Sequence, residues 1–439
     1  MRLGDKRLHP RLFSIVQTLA EHPEASIPEA FGNWAATKAF YRFCASDKVE
    51  EADIRRAHRQ QTVARAREYP RILAIQDTTD FDFTSHKDTT GLGPINATEQ
   101  QGFKLHSVLA ATTEGVPLGL LQQFCWRRDP AKTGQSKDWR KRPLLEKETA
   151  YWYFGLGDSH AFLPASVGVI SIGDRQGDFF DLFTKDRPKT CDLLVRAAYD
   201  RRVDAEGKRL FATLEQTPLA GTRTLRLRGH NLKVARTVVL AVRFTTVTLL
   251  PPNYRSDLAA VTLQAVLAEE QNPPKGVKPL RWLLLTSCPV ESFEDACQML
   301  DWYACRWLIE RYHFVLKSGC HLEQLQLATR ERLEVALALY SIVAWRLLYL
   351  THQARQEPEP SCEPFLQKEE WQALYCQVHR TLVPPASPPS LGEAVLWIAR
   401  LGGFLARKGD GEPGVKVLWR GFGRLKDFTA MWTLLHDTT

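Results

Sequence analysis

The chain has 439 residues, 44% of them hydrophobic, enough apolar material for at least one large core and for two to four domains. No apolar run follows the charged opening MRLGDKRLHPRL, and no stretch reaches the roughly 18 uncharged apolar residues of a membrane span, so secretion and membrane insertion are not expected. The formal net charge of +8 is unevenly spread: between Arg196 and Arg243 eleven Lys and Arg stand against four Asp and Glu, the balance of a phosphate-facing surface. Nine cysteines, from Cys44 to Cys376, include no Cys-x-x-Cys pair, which suggests neither a disulfide framework nor a zinc ribbon and fits reduced thiols in a cytoplasm.

Residues 11–70 repeat apolar positions at helical intervals, with a helix start at Ser26-Ile27-Pro28, and predict a small helical domain ended by Pro70. RILAIQD (71–77) reads as a buried strand ending in a carboxylate, and GFKLHSVLAATTEGVPLGLLQQFCW as a hairpin turning at Glu114-Gly115. A charged, then helix-like stretch (128–154) leads to a second apolar strand, SVGVISIGDRQGD (166–178), which runs into Asp174. A helix in GDFFDLFTK and a strand in CDLLVRAA follow. From about 200 to 275 the sequence alternates in period two, as a basic β insertion, and NPPKG (272–276) turns into the strand RWLLLTS (281–287). Residues 293–355 read as helical. A Pro-rich linker (381–390) precedes a last helical segment that includes WIARLGGFLARKGDG.

Chemistry is concentrated in WYACRWLIERYHFVLK (302–317). On a single helix, at about 100° per residue, Tyr303, Arg306, Glu310, His313 and Lys317 fall within an arc of roughly 80°, with apolar residues behind. Periodicity alone also allows a solvated face with an Arg306 to Glu310 ion pair. Asp77 and Asp174 each follow an apolar strand run, a position that serves both turn caps and the active sites of α/β sheets. Two such aspartates and a helical glutamate form the ligand set for a pair of Mg²⁺ ions, which together drive in-line attack on phosphorus. Asp80 and Asp82 could supplement that metal site, but read rather as solvated or turn-capping residues.

Tyr303-x2-Arg306-x3-Glu310-x6-Lys317 resembles the Y-R-E-K signature of the insertion-sequence-four family of bacterial DDE transposases. LAIQDTTDFDFT, ISIGDRQGD, LQAVLAEEQNPPKGVKPLRWLLLTSCPVES and IARLGGF are similar to segments of that family, in family order. The resemblance implies an α/β fold: an RNase H-like catalytic domain (71–375) with a β-strand insertion at about 200–275, flanked by a helical end-binding domain (1–70) and a helical dimerisation domain (376–439). It implies that Asp77, Asp174 and Glu310 are catalytic and hold two Mg²⁺ ions, with Mn²⁺ as a substitute. Tyr303, Arg306 and Lys317 would then meet the DNA near the transposon end, Trp282 would stack on a flipped base, Arg196 would lie near the DNA, and Lys6, Arg7 and Arg11 would bind the terminal repeat.

The implied reaction is cut-and-paste transposition: hydrolytic nicking, hairpin formation and resolution, then strand transfer. The implied partners are double-stranded DNA with terminal inverted repeats, target DNA and a second copy of the chain in a synaptic complex. Two alternatives stand beside this reading: a catalytically limited relative that binds ends or inhibits transposition, and an RNase H-like nuclease without strand transfer. His106 in KLHSVLA is family-like but reads as structural without the family. His313 shares the polar arc without belonging to the signature. Trp282, read alone, is a core strand aromatic.

Overall fold

The computed structural model describes residues 5–96, 99–130, 142–204, 206–227 and 236–436. Four helices open the chain: α1 (Leu8–Glu21), α2 (Ile27–Phe31), α3 (Trp34–Cys44) and α4 (Glu51–Ala66). As expected, α2 begins after Ser26, whose backbone N–H is reached by the Glu29 side chain at 3.3 Å.

The sheet is built around β1 (Arg71–Asp82), whose Ile72, Leu73, Ala74 and Ile75 are fully buried because both faces are covered. β2 (Gly93–Pro94), β3 (Gln101–Ala111) and β4 (Pro117–Trp126) follow, then α5 (Ala150–Ala161), β5 (Gly168–Gly173), α6 (Phe180–Phe183), β6 (Cys191–Arg196) and α7 (Leu210–Gln216). β3 runs antiparallel to β1 on one side, with β4 and the short β2 on its outer edge. β5 and then β6 lie parallel to β1 on the other side. The central order is therefore β4-β3-β1-β5-β6.

The basic β segment is a meander of β7 (Gly221–Leu227), β8 (Arg236–Leu249) and β9 (Val261–Glu270), returning through β10 (Arg281–Thr286). It is not set apart from the sheet: β10 pairs with β6, so the meander widens one ten-stranded sheet. Residues 205 and 228–235 of this segment, with Arg228 and Lys233 of its basic cluster, lie outside the described residues. So do 131–141 of the expected helix-like stretch 128–154, whose α-helix begins only at Ala150.

The remaining helices are α8 (Phe293–Ala304), α9 (Trp307–Phe314), α10 (Arg330–Gln356), α11 (Lys368–His379), α12 (Leu391–Leu401) and α13 (Val415–His436). Contrary to the single-helix expectation for 302–317, the chain tightens between α8 and α9. Arg306 N–H bonds to Tyr303 O at 3.0 Å and Leu308 N–H to Cys305 O at 2.9 Å, i→i+3 bonds that wind faster than an α-helix. After α9 it loosens into a π-turn, Val315–Gly319, closed by Cys320 N–H to Val315 O at 2.8 Å. Gly319 is needed there, since a Cβ would lie 2.7 Å from the Trp419 ring of α13. The expected last helical segment also ends early: α12 stops at Leu401 and the GGFLARKGDG stretch is loop.

The α9 and α10 face of the sheet shares one core with α1 and α13, from Leu12 and Ile15 to Leu418 and Leu425; Leu73 and Ile75 point into it. The opposite face, with Ile72 and Ala74, is covered by α5, α6 and α7. One helix, α10, is by length and composition apolar enough to cross a membrane, which the sequence reading did not foresee; 72% of its apolar window is buried inside the protein, so its apolarity is that of a core helix.

Candidate active site

The last register pair between β1 and β5 is Ile75 with Ile172. Asp77 and Asp174 each lie two residues further on, Asp77 still within β1 and Asp174 one residue past the end of β5, near enough that the Asp174 charge acts on Asp77. Asp77 was expected at a strand end. It lies instead mid-strand, because β1 parts from β5 but stays paired with β3, where Asp77 faces Ser107. The pair of aspartates thus occupies a fork in the sheet. Burial, then the Asp174 carboxylate and to a smaller extent that of Glu310 push Asp77 up to about 7, although the Thr78 N–H and Arg306 oppose them. Asp174 also caps the turn Arg175–Gly177, accepting the Gln176 N–H at 2.7 Å, so its capping role coexists with its place in the cluster.

Glu310, on α9, forms an i,i+4 ion pair with Arg306. The Arg306 guanidinium carbon lies 5.9 Å from the Tyr303 ring centre and 5.6 Å from that of Trp307. Trp307 is 59% exposed beside this pair and was missed in the sequence, where a tryptophan inside an apolar helix signals core. Tyr303 is turned inward by the tightened turn. Its buried hydroxyl is turned to Arg196, amid the charges of Arg306, Arg196 and Asp174. Trp282, expected to stack on a base, is 9% exposed and packs edge-on against Tyr303 with ring centres 5.4 Å apart, so it stands here as a core aromatic. Arg196 is half-buried and gives one N–H to Arg281 O at 2.8 Å.

Lys317 does not share the Asp77 cluster. The π-turn carries it to the far end of β1, 3.4 Å from Glu323 and 5.4 Å from the Phe81 ring centre, roughly 13 Å along the strand from Asp77 at strand rise. Asp82 accepts the Thr84 N–H at 2.9 Å, the turn-capping role read from the sequence, whereas Asp80 is neither solvated nor capping: it is half-buried in β1 and paired with the buried Lys104 at 2.5 Å. Lys6, Arg7 and Arg11 lie apart, exposed at the start of α1, Arg7 bonded to Asp5 at 2.7 Å. His106 is fully buried on the opposite face, between Thr78 Oγ1 (2.9 Å) and Gln76 Oε1 (3.0 Å); burial pushes it down to about 3. It is a structural histidine.

Carboxylate oxygens are the donors that Mg²⁺ prefers, and the mutual repulsion recorded at Asp77 is what a bound cation relieves. The donor chemistry therefore fits. The three carboxylates do not yet converge: among the described residues, no three Asp, Glu, His or Cys side chains stand close enough to hold one ion, because Glu310 is turned to Arg306.

Two family models match the chain. One, described as transposase DNA-binding, covers residues 1–49; the other, the transposase Tn5 dimerisation domain, covers residues 342–431. The first coincides with α1 to α3 and includes Lys6, Arg7 and Arg11. The second begins inside α10, well before the boundary at 376 expected from the sequence, and takes in α11, α12 and most of α13. The two ends of the chain therefore carry the domains of a Tn5-type transposase, a DNA-binding domain at one and a dimerisation domain at the other, which supports reading the chain as a Tn5-like transposase.

Proposed function

We propose that the chain is a DDE transposase that cuts and joins DNA at terminal inverted repeats, with Asp77, Asp174 and Glu310 as its metal-binding carboxylates. The observation that carries this reading is the fork: Asp77 on β1 and Asp174 just past the end of the neighbouring parallel β5, with Glu310 on the helix that packs over β1. The order β4-β3-β1-β5-β6, with β3 antiparallel and β5 and β6 parallel to β1, supports an RNase H-like catalytic domain. Two Mg²⁺ ions held by these residues supply the activation of water or of a DNA 3′-hydroxyl and the stabilisation of the leaving oxygen. Held there, the ions would supply the chemistry for nicking, hairpin formation and resolution, and strand transfer, and none of these would need a covalent bond to the protein.

The chain's own residues do the positioning. Arg306 neutralises Glu310 in the resting protein, and once Glu310 turns to the carboxylate pair its guanidinium fork is presented to a phosphate. Trp307, exposed beside it, offers a ring face to an unstacked base. Lys317, at the end of β1, meets the DNA as a point charge away from the chemistry. Lys6, Arg7 and Arg11 hold the terminal repeat, and the dimerisation domain brings two ends together in a cytoplasmic, nucleoid-bound complex.

The engagement of Glu310 by Arg306 also favours a second reading, a relative that binds ends without cutting. DNA carrying the inverted repeats, incubated with Mg²⁺ or Mn²⁺, separates the two. Cleavage by the wild type that falls to background in Glu310→Ala is expected. Binding without cleavage by the wild type supports the second reading, and cleavage undiminished in Glu310→Ala removes the metal assignment.

A further inference from the structure

A file of buried polar side chains reaches Asp77 from behind, and the reading above uses none of it. His313, three residues beyond Glu310 on α9, is 5% exposed; its Nδ1 lies 3.8 Å from Asp77 Oδ2 and its Nε2 3.2 Å from Ser107 Oγ. Ser107 is the cross-strand partner of Asp77. Behind it Gln123 of β4, 4% exposed, points its Nε2 at Ser107 Oγ (3.5 Å) and at the Tyr312 hydroxyl (3.0 Å).

The donors in this file have a direction. An amide nitrogen only donates, so Ser107 Oγ accepts from Gln123 and its own proton is left for His313 Nε2. A neutral imidazole that accepts at Nε2 carries its hydrogen on Nδ1, the nitrogen that faces Asp77. The orientation of the Gln123 amide has its own support. Tyr312, which accepts from Gln123 Nε2, also hydrogen-bonds Ser341, whereas Gln123 Oε1 and Arg55 Nε are buried without direct partners and both residues line one small cavity of about 10 Å³. A carbonyl oxygen on that side faces the positive Arg55 side chain; an amide N–H there would oppose it.

We propose that His313 is a positioning residue for Asp77: with its hydrogen on Nδ1, set by Ser107 and Gln123, it faces one carboxylate oxygen of Asp77 at 3.8 Å, just beyond hydrogen-bond distance, and by drawing that oxygen toward itself leaves the other to the metal. The inference rests on Asp77 being a metal ligand. His313→Leu removes both ring nitrogens, whereas His313→Asn keeps an amide N–H near the place of Nδ1.

The test uses the full-length chain, Mn²⁺ binding by titration calorimetry, the Mg²⁺ concentration for half-maximal cleavage of inverted-repeat DNA, and imidazole carbon NMR of the metal-free protein with histidine labelled. His313→Leu is expected to weaken Mn²⁺ binding and raise the Mg²⁺ requirement by about tenfold or more, as loss of an outer-shell partner does, and His313→Asn to recover most of it. The His313 ring signal is expected to be that of the Nδ1–H tautomer in the wild type and to move to the other tautomer in Ser107→Ala, a folding-conservative change. An Nε2–H tautomer in the wild type, or unchanged metal affinity and Mg²⁺ requirement in a folded His313→Leu, overturns the proposal. Asp77→Asn separates the two levels: if it leaves Mn²⁺ binding and cleavage intact, the metal-ligand reading fails; if it abolishes both while His313→Leu changes neither, only the His313 proposal fails.

Discussion

His58, on α4, accepts the Leu120 backbone N–H at Nε2 (3.1 Å), and its ring packs edge-on against Trp345 with centres 5.0 Å apart. Burial pushes it down to about 3. An unfolded chain protonates this histidine below about 6.5, and the folded chain refuses the proton until far lower pH. The native state therefore has its full stability above 6.5 and loses it as pH falls. At pH 5 the loss is on the order of 2 kcal/mol from this one residue. Urea unfolding midpoints measured between pH 7.5 and 5 should fall steadily for the wild type and less steeply for His58→Gln. Lys317 makes a different kind of prediction. Its ammonium is half-buried beside Glu323 and remote from the carboxylates. Lys317→Ala is therefore expected to leave the metal requirement unchanged, weaken end binding, and reduce the slope of log affinity against log salt by about one; titrations at several salt concentrations read all three.

At the level of elements, α5 lies so close to the sheet that a Cβ at Gly155 would stand 2.3 Å from Gln76 Oε1 and 3.0 Å from Val108 Cγ2. Gln76 has nowhere to go: it is buried between Ser171 Oγ (2.8 Å) and His106. Gly155→Ala should cost about 1–3 kcal/mol in denaturant unfolding, against the helical gain that alanine normally brings. The strands around this contact were readable in the sequence because apolar runs such as Ile72 to Ile75 and Val169 to Ile172 mark buried strands wherever they occur. Asp77 was read at a strand end because apolarity stops there, whereas the strand goes on by backbone pairing with β3, which leaves no mark on residue type. The helical wheel over 302–317 assumed one constant twist. The tight turn at Cys305 and Arg306 and the π-turn at 315–319 break that assumption, and they send Tyr303 inward and Lys317 away. The file from Gln123 through Ser107 to His313 joins three distant segments, and no local pattern announces it.

The whole molecule is tied end to end. α1 and α13 share the core of the sheet's α10 face, Lys426 is paired with Glu21 at 2.6 Å, and a Cβ at Gly421 would lie 1.9 Å from Ile398 O, so α12 and α13 touch backbone to backbone. Beyond that contact α13 presents Met431, 58% exposed, at the end of the matched dimerisation region. Met431→Lys is expected to weaken self-association by about tenfold, the scale of one interface side chain, without lowering the monomer's Tm; sedimentation at graded concentrations measures the first and thermal unfolding the second. The fork that exposes the carboxylates has a cost of another kind. Past Ile75, no described strand pairs with β1 on its β5 side, and an open strand edge is a template on which a second chain can add. The residues along that edge are Asp77, Thr78, Thr79, Asp80, Phe81 and Asp82, with the Asp82 N–H covered by Glu323. Asp80, held by Lys104, and Asp82, kept ionised by its hydrogen bonds to Thr84, put charge on that edge, so a second chain adding there would have to bury it, and the strand that opens for the site is guarded by the residues beside it.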